Sequence, residues 1–214
     1  FSITANSCFS IADVLVDGVS VGAVSSYTFT NVQGNHTIAA SFTANGPYTI
    51  TASAGAGGSI SPNGPTIVAC GGTQAFSITA NSCFSIADVL VDGVSVGAVS
   101  SYTFTNVQGN HTIAASFTLN SYTIVASAGT GGSISPSGNV SVNCGGTQAF
   151  SITANSCFSI SDVLVDGVSV GAVSAYTFTN VTAGHTIAAS FTLKTHTLVA
   201  SAGANGSISP SGNV

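Results

Sequence analysis

The chain has 214 residues, of which 3% are charged, and its formal net charge at pH 7 is −5. An average soluble domain carries roughly 25% charged residues, so the solubility of this chain must rest on Ser, Thr, Asn and Gln. Lys194 is the only Lys or Arg, and a chain without a basic patch is excluded as a binder of nucleic acid or of an anionic membrane surface. No apolar run is long enough to cross a bilayer, so we expect no membrane insertion of these residues.

Two alternating stretches of sequence make up almost the whole chain. Residues 1–43 recur without change at 76–118 and with five substitutions at 150–192. A shorter stretch recurs between these copies, so one full repeat is about 74 residues long. That length is enough for a small hydrophobic core, whereas the units of most solenoids have roughly 20–50 residues. The sequence therefore predicts a tandem array of small folded repeats.

The repeats predict four segments. Residues 1–43 are a partial repeat that lacks its first two strands, and residues 48–118 and 122–192 are complete repeats. Residues 196–214 are the first two strands of a further repeat. The links between segments are only about three or four residues long, which leaves successive repeats little freedom. Since the sequence starts and ends within repeats, we interpret it as part of a longer array, and we keep open the alternative that its two ends complement each other.

Alternation of apolar and polar residues predicts strands throughout the long stretch. Phe1, Ile3 and Ala5 alternate with polar residues, and Tyr27–Thr30 alternates in the same way. A turn then leads into a further strand over His36–Phe42. No segment has helical spacing, and the high content of Val and Thr argues against helix.

Each copy of the long stretch also contains an Asp-Gly pair between two β-branched runs. An Asp-Gly pair in this setting predicts a two-residue type I′ hairpin turn, because both central positions of that turn have positive φ. The predicted turn residues are Asp17 and Gly18, Asp92 and Gly93, and Asp166 and Gly167.

The shorter stretch is predicted to form strands as well. Tyr48–Ala54 is a strand, Gly55–Gly58 is a flexible turn, and Ser59–Pro62 is a short return strand. Together the two stretches predict an all-β fold. We expect a tandem array of small β-sheet or β-sandwich modules of about 74 residues each, with no significant helix.

The five cysteines fall at two equivalent positions of the repeat. Cys8, Cys83 and Cys157 correspond to one another, and Cys70 corresponds to Cys144. Two cysteines per repeat without a C-x-x-C pair favour disulfides and an oxidising compartment. Spacing favours the local pairs Cys70–Cys83 and Cys144–Cys157, which would leave the partner of Cys8 outside these residues.

Strand geometry favours a different pairing. If residues 73–81 formed one straight strand, its ends would be about 26 Å apart at ~3.3 Å per residue. A disulfide needs Cα atoms within roughly 4.4–6.8 Å, so a local pair requires a bent strand. The alternative pairs join neighbouring repeats, Cys8 with Cys70 and Cys83 with Cys144. Free buried thiols are the third possibility.

The remaining ionisable residues do not form a recognisable active site. Two Asp per repeat, such as Asp13 and Asp17, are too few for Ca²⁺, which takes six to eight oxygen ligands. We interpret them as a strand-edge residue and a turn residue, and we expect no bound metal or cofactor. The single His of each long stretch (His36, His111 and His185) lacks a nucleophile and an orienting group in sequence. We therefore predict that the chain is not an enzyme.

The repeat resembles the divergent internalin B-type repeat of bacterial surface and secreted proteins. The motifs that carry the resemblance are Y-T-I-x-A-S-A-G, G-G-S-I-S-P, D-V-L-V-D-G-V-S-V-G, Y-T-F-T-N-V and H-T-I-x-A-S-F. The resemblance covers the whole sequence. It implies a small, mostly β, extracellular or cell-surface module that occurs in tandem in long proteins, with no shared catalytic residues.

We predict a structural role in an extracellular fibre, stalk or filament whose partner is the chain itself. Near-identical copies, short links and low charge motivate this prediction, and polymerisation by head-to-tail strand complementation is one form of it. The alternative is a multivalent adhesin or carbohydrate-binding array with other surface proteins or glycans as partners. Its only stacking candidates besides Phe would be Tyr27, Tyr48, Tyr102, Tyr122 and Tyr176.

Overall fold

A computed structural model describes residues 1–210 and 212–213, and this part of the chain consists of strands and turns without any helix. The chain divides into two compact units, Phe1–Thr118 and Leu119–Val214. The strands are β1 (Phe9–Val16), β2 (Val19–Ser20), β3 (Ile38–Ala44), β4 (Tyr48–Ala54), β5 (Gly58–Ser61), β6 (Gly64–Val68), β7 (Gln74–Ala80), β8 (Phe84–Val91), β9 (Val94–Ser95), β10 (Ser101–Phe104), β11 (His111–Leu119), β12 (Ser121–Ala128), β13 (Gly132–Ser135), β14 (Gly138–Asn143), β15 (Gln148–Ala154), β16 (Phe158–Val165), β17 (Val168–Ser169), β18 (Ala175–Phe178), β19 (His185–Leu193), β20 (Val199–Ala200) and β21 (Gly212–Asn213). The prediction of an all-β fold of small modules is confirmed.

Strands β4 to β11 form two sheets. The larger has the order β6-β4-β11-β8-β9, and the smaller has the order β10-β7-β5. Strand β4 lies inside the larger sheet, because it pairs antiparallel with β6 and parallel with β11. Strand β5 leaves that sheet and pairs antiparallel with β7 in the smaller one. Two consecutive strands, β4 and β5, therefore belong to different sheets.

The two sheets enclose one hydrophobic core. Along β4, Ile50 and Ala52 are buried while their neighbours Thr51 and Ser53 are exposed, as expected for a strand with one buried face. The buried cluster draws on both sheets, with Ile113 from the larger and Phe76 and Ile78 from the smaller. Strands β12 to β19 repeat this architecture, with orders β14-β12-β19-β16-β17 and β13-β15-β18 and with an equivalent core.

Residues 1–43 keep only part of this architecture, and we call them the open repeat. Their sheet has three strands in the order β2-β1-β3, because no strand occupies the positions that β4 and β6 hold in the next repeat. The counterpart of the β7–β10 pair is reduced to one bridge between Ser2 and Ser26. Val14 and Val16 are its only buried hydrophobic residues.

The Asp-Gly turns have the backbone geometry of a type I′ hairpin. Asp17 and Gly18 have φ values of 51° and 78°, and Val16 pairs with Val19 across the turn. The corresponding residues of the two later copies also have positive φ, at Asp92 (49°), Gly93 (80°), Asp166 (49°) and Gly167 (79°).

Residues 196–214, which we call the tail hairpin, end the second unit. Strand β20 pairs with β21 through Val199–Asn213 and Ala200–Gly212. This is the register of β12 with β14, where Val125 pairs with Asn139. Ser211 and Val214 of the predicted segment lie outside the described residues.

The cysteine pairing differs from the local one that spacing favoured. Cys8 is bonded to Cys70, with Cα atoms 5.5 Å apart, so the partner of Cys8 lies within the chain and Cys70 is not bonded to Cys83. Strand β7 (Gln74–Ala80) runs extended between Cys70 and Cys83 and separates them, which is the physical reason for the difference. Cys83 takes part in a disulfide, and so does Cys144. Cys157 is free and exposed, so the predicted Cys144–Cys157 pair is wrong as well.

Candidate functional site: an open groove in the first repeat

The open repeat carries an apolar groove where a complete repeat has strand β4. The groove has a volume of about 450 Å³. We call it the main groove, and its lining residues are Phe1, Phe29, Val32, Gly34, Asn35, His36 and Ile38. Apolar side chains dominate this lining, as in sites that take an apolar ligand segment.

Side chains that form the core of complete repeats are exposed in this groove. Phe1 is 72% exposed, whereas its counterparts Phe76 and Phe150 are each 1% exposed. Val32 is 60% exposed, against 1% for Val107. The main groove is therefore lined by apolar side chains whose counterparts are buried in the core of a complete repeat.

A second hollow, of about 210 Å³, lies at the other end of the same surface. Its lining residues are Thr4, Asn6, Phe9 and Phe42, and we call it the side hollow. In the next repeat the two corresponding rings are Phe84 and Phe117. They pack so closely on the turn between β4 and β5 that a Cβ atom on Gly57 would lie 2.3 Å from Phe84. The side hollow is therefore the place where such a glycine turn is missing.

The main groove is bordered by a hydrogen-bonded His–Asp pair. The Nδ1 atom of His36 lies 2.7 Å from a carboxylate oxygen of Asp17, and the main-chain N–H of Thr37 donates to the other oxygen. The imidazole ring also contacts the ring of Phe29, with centroids 5.0 Å apart. Both later copies have the same pair, His111 with Asp92 and His185 with Asp166.

The pair lowers the pKa of each aspartate. Hydrogen bonds from His36 and then from the N–H of Thr37 lower the pKa of Asp17 below 3.8. At Asp92 and Asp166 partial burial raises the pKa, but the hydrogen bonds from the histidine and the following N–H outweigh it. A lowered pKa means that each carboxylate accepts these hydrogen bonds in its charged form. The pair therefore ties the hairpin turn to the start of the neighbouring strand.

This arrangement is suited to binding an extended peptide rather than a small polar ligand. Strand β3 begins at Ile38, whereas the later copies of this strand begin at His111 and His185, two positions earlier in the repeat. On the groove side, residues 36 and 37 therefore lack the partner strand that their counterparts have in β4 and β12. An exposed strand edge beside an apolar groove is the surface that β-strand addition uses.

The other predicted residues lie away from the groove or pack within the repeats. The described residues contain no group of three or more His, Cys, Asp or Glu that could hold a metal ion. The rings of Tyr27, Tyr102 and Tyr176 are half-buried and make edge-to-face contacts with Phe29, Phe104 and Phe178. Tyr48 and Tyr122 are half-buried against the cores of their repeats.

Two features of the site are missing from the sequence-based predictions. One is the His–Asp pair, although the constant separation of 19 residues between its members in all three copies was a usable signal. The other is the groove itself, because the depth of a hollow depends on which strands pair across the repeat.

No family model matches the chain, and comparisons with curated proteins and with solved structures find no significant match. In the described residues there is no helix with the length and hydrophobicity needed to span a bilayer. The disulfides indicate an oxidising, extracellular type of environment.

Proposed function

We propose that the chain is a structural segment of an extracellular fibre or stalk built from tandem β modules of the divergent internalin B type. The observation that carries this proposal is the Cys8–Cys70 disulfide, which joins the open repeat to the complete repeat that follows it. This second covalent link, in addition to the main chain, keeps the two repeats from separating when the chain is pulled. A fibre needs this property, whereas a set of independent binding modules does not.

The link between these two repeats supports the same role. The main-chain N–H of Asn45 donates to the carbonyl of Cys8 over 2.8 Å, so the link itself is hydrogen-bonded to the residue that forms the disulfide. Successive repeats of unchanged sequence make length rather than a series of distinct surfaces. The low charge leaves little repulsion between neighbouring chains, so side-by-side association in a fibre is not opposed.

Electron microscopy of the native material tests this function. Antibodies raised against residues 122–192 and coupled to gold are expected to label fibres or stalks outside intact producing cells. Antibody pre-absorbed with the purified chain serves as the control. Label confined to the cell interior, or to soluble particles without fibres, would overturn the proposal.

Single-molecule pulling tests the part of the proposal that concerns force. The disulfide has a sequence separation of 62 residues, which it protects from extension when the chain is pulled from its ends. At ~3.3–3.6 Å per residue, the Cys8→Ser/Cys70→Ser variant should extend about 200 Å further than the oxidised chain. Cys157→Ser is the matched control and should leave the extension unchanged. Equal extension of the double variant and the oxidised chain would show that the disulfide carries no tension.

A further inference from the structure

The complete repeats show what fills the main groove. Strand β4 runs parallel to β11, with Ile50 opposite His111 and Ala52 opposite Ile113. Strand β12 makes the same pairs, with Ile124 opposite His185. Ile50 and Ile124 are each 0% exposed. The natural occupant of the groove is therefore a strand of this sequence, with a large aliphatic residue opposite the histidine.

The tail hairpin has that sequence and an exposed aliphatic residue at that position. Leu198 corresponds to Ile50 and Ile124 but is 72% exposed. Ile208 corresponds to Ile60 and Ile134, which are 3% and 5% exposed, and it is 45% exposed. The tail hairpin thus exposes the apolar face that the complete repeats bury.

The strand edges that would receive this hairpin are also in place in the open repeat. Ser2 bridges Ser26 in the same register in which Ser77 pairs with Ser101. The N–H of Tyr27 donates to the carbonyl of Phe1 over 3.0 Å and the N–H of Ile3 donates to the carbonyl of Ser25, so residues 1–3 lie against residues 25–27 as β7 lies against β10. Only the strand equivalent to β5 is missing on their other side.

We propose that the tail hairpin of a second copy of this chain binds the main groove and the side hollow of the open repeat, adding one strand to its three-stranded sheet and another beside the segment that holds the Ser2–Ser26 bridge. This inference rests on the proposed structural function and names its partner. The contact joins two different surfaces, so repetition gives an open, head-to-tail filament. Main-chain hydrogen bonds supply most of the affinity, and the alternate side-chain pockets supply the register.

The complete repeats fix the register of the docked hairpin. Leu198 lies opposite His36 and Ala200 lies opposite Ile38, as Ile124 and Ala126 lie opposite His185 and Ile187. Ile208 of the return strand lies opposite Ile3, as Ile60 lies opposite Ile78.

One further polar contact of the second repeat can be reproduced. The side-chain oxygen of Asn110 accepts the main-chain N–H of Thr49 over 2.8 Å. Asn35 and Thr197 are the residues at the corresponding positions of the open repeat and the tail hairpin.

One position of the tail hairpin fits less well than its counterparts, and this makes the proposal testable. Asn205 stands where the complete repeats have Gly57 and Gly131. A Cβ atom at Gly57 would lie 2.3 Å from Phe84, and one at Gly131 would lie 2.3 Å from Phe158. The corresponding ring of the open repeat, Phe9, is 46% exposed and must move aside for Asn205. Asn205→Gly should therefore strengthen the contact.

Sedimentation velocity of the oxidised 214-residue chain over a range of concentrations is the first experiment. The chain should form oligomers that grow with concentration, and Leu198→Ser should abolish them. Val199→Ser is the matched control, because Val199 lies on the opposite face of the strand and its counterpart Val125 is 44% exposed in a complete repeat. Asn205→Gly should lower the concentration of half-maximal assembly severalfold.

The same set of variants distinguishes the proposed contact from other contacts between chains. A chain that stays monomeric at every concentration overturns it, as do oligomers that Leu198→Ser leaves intact. If the chain is monomeric while native fibres still carry the antibody label, the contact between the tail hairpin and the open repeat is refuted but the structural function is supported. If the purified chain assembles but no native fibre is labelled, the structural function is refuted but the contact is supported.

A designed disulfide tests the register. Thr4 and Ser207 should lie directly opposite each other, as Thr79 and Ser59 do. Directly paired residues have Cα atoms about 4.5–5.5 Å apart, which suits a disulfide. In a Cys157→Ser background, Thr4→Cys/Ser207→Cys should give a ladder of covalent oligomers under non-reducing conditions.

Thr4→Cys/Ser209→Cys, shifted by two residues along the strand, is the control and should give much weaker ladders. Equal ladders from both variants would overturn the register. A cross-linked monomer without a ladder would show that the chain closes on its own tail, and this too would overturn the proposal.

Discussion

At the scale of single residues, the His–Asp pair is a contact that all three copies share. The Nδ1–carboxylate distance is 2.7 Å in each copy. Each pair fastens a hairpin turn to the strand that borders the core. The strength of this contact depends on pH, because the carboxylate must be charged to accept both hydrogen bonds.

The pKa shifts predict how pH changes the contribution of this pair. The pKa of Asp92 and that of Asp166 are lower in the folded chain than the ordinary value of 3.8. A group with a lowered folded pKa stabilises the fold above its unfolded pKa, and this stabilisation is lost as the pH falls through the folded pKa. Asp92→Asn/Asp166→Asn should therefore lower the thermal midpoint at pH 6, and this effect should disappear once the pH has fallen below the lowered pKa that these carboxylates have in the folded chain.

Calorimetry of the unchanged chain and of the double variant from pH 2 to pH 7 measures the difference between their thermal midpoints. These carboxylates are nearly half exposed, so we expect less than about 1 kcal/mol per pair. Lys194→Gln, which removes a charge outside the pairs, serves as the control. A difference that persists unchanged to pH 2 would contradict the role given to the charged carboxylate.

At the scale of secondary-structure elements, the turn between the first two strands of a repeat packs closely against two phenylalanine rings. A Cβ atom on Gly132 would lie 2.2 Å from the ring of Phe191, and one on Gly131 would lie 2.3 Å from Phe158. Gly131 also has a φ of +100°, which L-residues rarely adopt. The turn thus needs glycine for two separable reasons.

Three alanine variants separate these reasons. Gly138 has a φ of +77° but open space around it, so Gly138→Ala should cost only about 1–2 kcal/mol of backbone strain. Gly132→Ala meets the ring without a positive φ and should cost roughly 1–3 kcal/mol from overpacking. Gly131→Ala combines both and should lower the unfolding free energy most. The midpoint of denaturant unfolding measures the order, and a Gly131→Ala variant as stable as Gly138→Ala would refute it.

The strands could be predicted from sequence far better than their partners could. Alternation and the Asp-Gly pairs are local signals, and they suffice for the strand at β4 and for the turn at Asp17. The parallel pairing of β4 with β11 joins residues about 60 positions apart, and no local pattern encodes it. The groove and the Cys8–Cys70 bond both depend on such distant pairing. Spacing alone therefore suggested the wrong disulfide, although the length of a straight strand argued against it.

At the scale of the whole molecule, apolar burial, main-chain hydrogen bonds and the disulfides must supply nearly all the stability. The chain has six Asp and one Lys among 214 residues. Three of the six carboxylates are engaged by histidines. Few charged groups are therefore available for long-range interactions within the chain. Few are also available at the proposed contact between the tail hairpin and the open repeat.

This composition predicts an unusual response to salts. Sodium chloride acts mainly by screening, with a Debye length of about 10 Å at 0.1 M, and so has few interactions to weaken. We expect the thermal midpoint at pH 7 to move by less than about 2 °C between low and 0.5 M sodium chloride, which corresponds to a few tenths of a kcal/mol.

Sulfate strengthens apolar burial, because it is excluded from the protein surface. At equal ionic strength it should raise the thermal midpoint and also lower the concentration needed for assembly. Scanning calorimetry and sedimentation in the two salts provide the comparison, with Leu198→Ser as the non-assembling control. If sodium chloride alone dissolved the assemblies, charge rather than buried strand surface would be holding the chains together.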